Sequence, residues 1–273
     1  MNNQVLPDGV DFEGSLAYHR LVTEMFFHAL WLLTAITEKS NYLGQGLSYR
    51  KVGETLFSDL FIEKLGKGTH SHNDSLSFEL CYNGKPFIVD PGSYSYTGYP
   101  HMRNLLRSTL YHNTVVISGR ERNEMSDTLL FRLFPCSRSK TILWHWGSKR
   151  DIFIGQISYE QVSVIHRRKI IFNKKDRTWS VSDFFSGEGT HELVWNFHLS
   201  PEVEIYLSDR IIIFNHSEGD QLRLEIDYNG LLESKVIQGW YSPGYGYLKE
   251  SLIVRLSCKT EIPEVVKYCF YGD

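Results

Sequence analysis

Cysteine frameworks are missing from this chain. Its four cysteines, Cys81, Cys136, Cys258 and Cys269, stand far apart and never form a CxxC spacing. That excludes a zinc ribbon and a small disulfide scaffold, and leaves buried free thiols as the default. The first residues, MNNQVLPDGVDFEG, lack a basic start followed by an apolar stretch, so no signal peptide is visible, and no apolar run reaches the length of a membrane span. Charge of one sign is also lacking: a formal net charge of -3 over 273 residues gives no pointer to nucleic acid. No repeat of fixed period and no low-complexity tract is found.

Apolar and aromatic residues are plentiful. At 42% hydrophobic, the chain can bury the core of a soluble globular protein. Its 16 Tyr, 16 Phe and 6 Trp suit a β-rich core, and equally a surface on which sugar rings lie.

Two patterns divide the sequence. Residues 15–37, SLAYHRLVTEMFFHALWLLTAIT, place Leu16, Leu21, Val22, Met25, Phe26, Ala29, Leu30, Leu33 and Ile36 at helical spacing, with Asp11 and Ser15 as caps. The broad apolar face of such a helix needs other helices, a sheet or a second copy of the chain to cover it. A polar, Gly-containing linker follows at 38–54. From there on, short alternating runs are separated by Gly, Asn, Asp and Pro, which predicts strands over 55–62, 76–82, 86–90, 113–118, 140–146, 151–159, 162–172, 178–184, 191–199, 203–206, 210–215, 221–228, 233–239 and 248–257. So many strands without intervening helices predict a mainly β protein, a large antiparallel β-sandwich over 46–273 preceded by a helical segment over 1–45.

The candidate chemistry lies at strand ends. In GTHSHNDSLSFEL, residues 68–80, an extended backbone sets His70, His72 and Asp74 along one edge, because side chains two apart point the same way. In NGKPFIVDPGSYSY, Asn83-Gly84 reads as a hairpin turn and Asp90 closes a short strand. In RNLLRSTLYHNTVVISG, His112 and Asn113 precede another strand. Zinc takes imidazole nitrogen and carboxylate oxygen, so His72, Asp90 and His112 are candidate metal ligands, and a hydrogen-bonded loop cluster is the competing reading. By themselves, His70 reads as a loop histidine, Asp74 and Asn113 as orienting or turn residues, and Arg103 and Arg107 as a solvated face. HRRK at 166–169 reads most simply as an exposed strand, with His166 and Arg168 on one side and Arg167 and Lys169 on the other.

Together with HRRKIIFN and TWSVSDFF, the three motifs resemble, in their order, the C-terminal β-sandwich of the heparinase II/III-like polysaccharide lyases. QVLPDGVDFEGSLAYHRLVTE, near the N-terminus, resembles a late helical segment of that family's α/α toroid. The resemblance implies β-elimination at a uronic acid: a base removes the C5 proton beside the carboxylate, and the C4 oxygen leaves as a double bond forms. It maps Tyr18 and His70 onto the catalytic tyrosine and histidine. His72, Asp90 and His112 map onto the ligands of one structural zinc ion. Tyr94, Tyr96 and Arg107, with Arg103, are implied as contacts to an acidic polysaccharide or oligosaccharide. Without the resemblance, Tyr18 reads as a packing tyrosine on its helix. Most of the toroid and its Asn-His pair have no counterpart here, so the expectation is a fragment, a truncated product or a decayed homologue with weak or no activity alone. A non-catalytic carbohydrate-binding or structural sandwich is the alternative. A periplasmic or extracellular setting is implied by the family, and self-association by the apolar helix.

Overall fold

The computed structural model of the chain describes residues 70–272. The helix expected over 15–37, the linker, the strand expected over 55–62 and the candidate Tyr18 lie outside the described residues, as does self-association through that helix. The described part is an antiparallel β-sandwich, as the alternating runs predict.

The larger sheet has eight strands. In spatial order they are β11 (Val203–Ser208), β12 (Ile211–His216), β13 (Gln221–Asp227), β16 (Glu264–Gly272), β9 (Thr178–Ser186), β8 (Val164–Asn173), β7 (Arg150–Tyr159) and β6 (Ser137–Trp146). The smaller sheet runs β14 (Glu233–Gly244), β15 (Tyr247–Glu261), β10 (Thr190–His198) and β3 (Val115–Ile117). Two hairpins, β1 (Leu80–Tyr82) with β2 (Lys85–Ile88) and β4 (Asn123–Met125) with β5 (Leu133–Pro135), close the flank near the candidate residues. The unforeseen last strand, β16, fills the middle of the larger sheet between β13 and β9.

Period-two alternation explains which side of each strand is dry. Leu222, Leu224 and Ile226 of β13, and Leu193, Trp195 and Phe197 of β10, point between the sheets into one continuous core, where Val181, Phe214, Val254 and Phe270 meet them. On the other side of β10, Asn196 and His198 are also buried. A short helix α1 (Pro100–Leu106) and a 3₁₀ turn (Thr109–Tyr111) lie on that side, where Leu106, Tyr111 and Ile253 form a second apolar cluster. Pro100 at the first helical position and only seven residues make α1 too short for a periodic signal, which is why it was not foreseen.

The HRRK segment departs from expectation. The sides alternate as anticipated, but His166 and Arg168 are fully buried rather than exposed. Both reach Asp183 on β9. His166 Nε2 lies 2.7 Å from Asp183 Oδ1, Arg168 donates through Nε and Nη2 at 2.7 and 2.8 Å, and the Trp195 indole and Tyr268 hydroxyl donate to Oδ2 at 2.8 and 3.1 Å. Burial alone would raise the Asp183 pKa, but the Arg168 charge and His166 outweigh it and hold the carboxyl far below the usual carboxylate range. The remaining Arg168 nitrogen, Nη1, donates to the carbonyls of Leu76 and Asn113 at 2.7 and 2.8 Å. The core ion pair therefore fastens two of the loops that carry the candidate site.

Candidate functional site

Three backbone connections converge on one buried place. The first is the loop from His70 to Ser75, which is pinned at Asn73, next to His72: the Asn73 N–H donates to the Arg107 carbonyl at 2.8 Å, and the Asn73 amide donates to Glu121 Oε2 at 2.7 Å and the Asn123 carbonyl at 2.8 Å. Glu121 Oε2 also accepts from the N–H and hydroxyl of Thr109, so one carboxylate joins the HxH loop to the 3₁₀ turn. The second connection is Asp90-Pro91-Gly92 after β2. Asp90 Oδ1 accepts from the Gly92 N–H at 2.8 Å, which aims Oδ2 at the interior. Gly92 has φ +80, and a Cβ there would collide with the Ser242 carbonyl oxygen, so the turn needs glycine twice over.

The third connection carries His112 into β3. Asn113 beside it clips the three together: its amide donates to the carbonyls of Phe78 and Val89, both at 2.9 Å, and its oxygen accepts the His198 N–H at 2.7 Å. Asn113 thus orients strands, in keeping with the reading of it as an orienting residue.

His72, Asp90 and His112 come together in this place, each almost wholly buried. The His72 and His112 rings lie 5.3 Å apart, and His112 Nδ1 is 3.2 Å from Asp90 Oδ2. That contact attracts charge without forming a hydrogen bond of acceptable angle, and Nδ1 of His72, both ring nitrogens of His112 and Oδ2 of Asp90 have no hydrogen-bond partner. Burial lowers the His72 pKa well below its ordinary value and the Arg103 charge adds to this, so the ring is neutral near pH 7. Burial works against charging Asp90 and His112 alike, but each favours the charged form of the other, and the net result is a lowered Asp90 and a raised His112.

Two imidazoles and a carboxylate, dry and with unused donor atoms, are a donor set that fits zinc. The side chains are not drawn up around a common centre, however: among the described residues no three His, Cys, Asp or Glu groups stand close enough to hold an ion. His72 Nε2 is instead engaged by Arg103 Nη1 at 3.1 Å and Ser93 Oγ at 3.3 Å. Buried His198 borders the cluster with Nε2 3.3 Å from the Leu110 carbonyl, and burial together with the His112 charge pushes its pKa down to about 3.

His70 points elsewhere, into a group of aromatic rings. Its ring stands edge-on to Tyr96 at 5.1 Å and to Phe131 at 6.0 Å. Tyr96 lies over the Arg103 guanidinium, 4.9 Å from its carbon, and Tyr94 packs against Tyr99 at 5.5 Å. The structure therefore separates the two histidines of HxH, with His72 inward and His70 toward the rings; the segment is loop and not strand, so the shared edge expected of an extended backbone is not formed.

The sugar contact expected of Arg107 does not fit its position. It is fully buried and donates through Nη1 to the Leu130 carbonyl and through Nη2 to the Arg132 carbonyl at 3.4 Å. A long cation at the end of a seven-residue helix reads as solvated until tertiary packing covers it. Arg103, within α1, is likewise buried and not solvated. Arg103, Glu121, His198 and Phe131 are the site residues that spacing alone gave no signal for.

Residues 63–265 match the family model for the heparinase II/III-like C-terminal region, which takes in all three converging connections. The chain belongs to this heparinase II/III-like family. It is 26% identical over 206 residues to a heparin-sulfate lyase of Bacteroides stercoris, a match covering 73% of this chain and 28% of that protein. A solved heparinase III superposes with a TM-score of 0.63 at 24% identity, covering 75% of this chain and 31% of the other. The solved heparan sulfate lyase of Pedobacter heparinus gives 0.68 at 14% identity, covering 99% and 54%. At these identities the superpositions establish the heparinase fold. The chain thus spans less than a third of the curated relative's length and is related to polysaccharide lyases. Among the described residues, no helix is long and apolar enough to cross a membrane.

Proposed function

We propose that this heparinase II/III-like domain serves β-elimination of a uronic-acid-containing acidic polysaccharide, with His70 as the residue of the sandwich that moves a proton at the cleaved linkage. The observation that carries the reading is the division of labour in HxH: His70 stands among aromatic rings beside the protein surface, while His72 is turned into a dry cluster with Asp90 and His112. An imidazole suits this role because a ring nitrogen can accept the C5 proton or return one to the C4 oxygen. Tyr18 is the proposed second proton carrier. Tyr94 and Tyr96 are the proposed sugar contacts on this loop, and Arg107 acts behind them through the backbone it holds.

His72, Asp90 and His112 are proposed to hold one zinc ion. When bound, it would supply a fixed positive charge that ties the three connections together. What supports this is the donor set and its unpartnered atoms. A periplasmic or extracellular site of action accords with such a substrate.

The test has two parts. Incubation with heparan sulfate and with an alginate-type polyuronate should give slow growth of the ultraviolet absorbance of unsaturated uronate, above the level of His70→Ala. Metal analysis should find one zinc per chain in the wild type and none in His72→Ala or His112→Ala. A folded protein that binds these polymers without ever forming unsaturated ends would instead be a carbohydrate-binding sandwich.

A further inference from the structure

We infer that Phe131 and Tyr245 flank Tyr96 to form a saccharide-stacking subsite that continues outward from His70. This inference rests on the lyase reading and deepens it. The three rings form a row: Tyr96 to Phe131 is 5.9 Å with planes inclined by 30°, and Tyr96 to Tyr245 is 6.0 Å with planes inclined by 32°. Tyr96 is thus the middle ring, with a tilted neighbour on each side. The inner end of the row meets His70, which touches both Tyr96 and Phe131.

The two flanking rings are exposed, Tyr245 at 69% and Phe131 at 38%, and the backbone beside each is held by hydrogen bonds. Buried Arg107 donates to the carbonyls on either side of Phe131, those of Leu130 and Arg132, and so fixes the backbone that carries that ring. Tyr245 sits at the tip of the β14–β15 hairpin. There the Gly246 N–H donates to the Tyr94 carbonyl at 2.7 Å, the Ser242 N–H to the Pro91 carbonyl at 2.8 Å, and the Tyr94 N–H to Ser242 Oγ at 3.1 Å. The hairpin is thereby anchored to the loop that carries Asp90 and Tyr96, while the Phe131 segment is held by Arg107 at the end of α1.

A pyranose ring is the occupant this surface fits. Its axial C–H face is apolar and stacks on aromatic faces, while its hydroxyls and acidic groups stay in water. Exposed aromatics held rigid forfeit little rotamer entropy on binding, which is how a protein gains affinity for a flexible polymer. The Arg103 guanidinium behind Tyr96 adds a positive field suited to an acidic chain.

The experiment is affinity electrophoresis of the whole chain in gels containing heparan sulfate, with dextran gels as the uncharged reference. Tyr245→Ala and Phe131→Ala should each weaken the apparent Kd by about tenfold, and Tyr245→Phe should stay within about twofold of wild type, since the ring and not the hydroxyl does the stacking. Tyr206→Ala, an equally exposed tyrosine on edge strand β11, should leave binding unchanged. Retention by the wild type with no loss in Tyr245→Ala and Phe131→Ala would overturn the subsite and leave the lyase reading standing. No retention of the wild type, together with no unsaturated product, would overturn both. Loss of a dimer in Tyr245→Ala, with polymer affinity unchanged, would assign the rings to a second copy and overturn the subsite as well.

Discussion

Asp183→Asn is the most informative single change to the scaffold. The wild-type carboxylate accepts from Arg168 twice, from Trp195 and from Tyr268, lies 2.7 Å from His166 Nε2, and is fully buried. Asparagine keeps the shape but loses the charge, and presents an NH₂ group to the three donors that share Oδ2. Arg168 would then be a buried cation without a counter-ion. Removing one partner of a buried ion pair costs about 3–5 kcal/mol, a large fraction of the roughly 5–15 kcal/mol that holds a typical domain together. With a urea m-value of about 3 kcal/mol/M, that is a fall in midpoint of 1 M or more.

Urea unfolding followed by tryptophan fluorescence and by circular dichroism measures the shift. Pairing Asp183→Asn with Arg168→Met should recover part of the loss, because no charge is then stranded. The pH dependence carries a sign. A carboxyl held below its unfolded value of about 3.9 contributes stability that is fully present above that pH and is lost as pH falls through the folded pKa. The wild type should therefore lose its advantage over Asp183→Asn as the pH drops below about 4. A loss under about 1 kcal/mol at pH 7, or an advantage unchanged in acid, would refute the view that this ion pair holds the sheets and loops together.

Three other outcomes are expected. Asn113→Ala removes the partners of two carbonyls and one N–H in the interior; at about 1–3 kcal/mol for each unmet group, and less than additively, it should lower the urea midpoint by at least 1 M. Gly92→Ala forces a side chain into the left-handed region and against Ser242, so a thermal melt should fall by several degrees, whereas Gly119→Ala, with open space around it, should suffer only from its backbone angle and fall less. Chelator treatment of the purified protein should lower its melting temperature, and added zinc should restore it; a melt indifferent to both would remove the metal from the proposal.

Much of this protein was legible in its residues. Alternation over the later runs announced the antiparallel sandwich, because a strand half-buried between two sheets must repeat every two residues; the same rule set His70 and His72 on one edge, and the loop that carries them turns them apart instead. Turn chemistry placed Asp90 at a strand end. The motifs carried the family. What the sequence could not contain was the company each residue keeps. Arg107, Arg168 and His166 are polar and looked like surface residues, yet the packing of α1 and of the two sheets encloses them and makes them struts. The row formed by Tyr96, Phe131 and Tyr245 draws on three segments distant in the chain, so no local pattern foretold it. Local periodicity is set by backbone geometry and is written along the chain. Burial of a charge and convergence of loops depend on which strands become neighbours, and only the tertiary structure decided that.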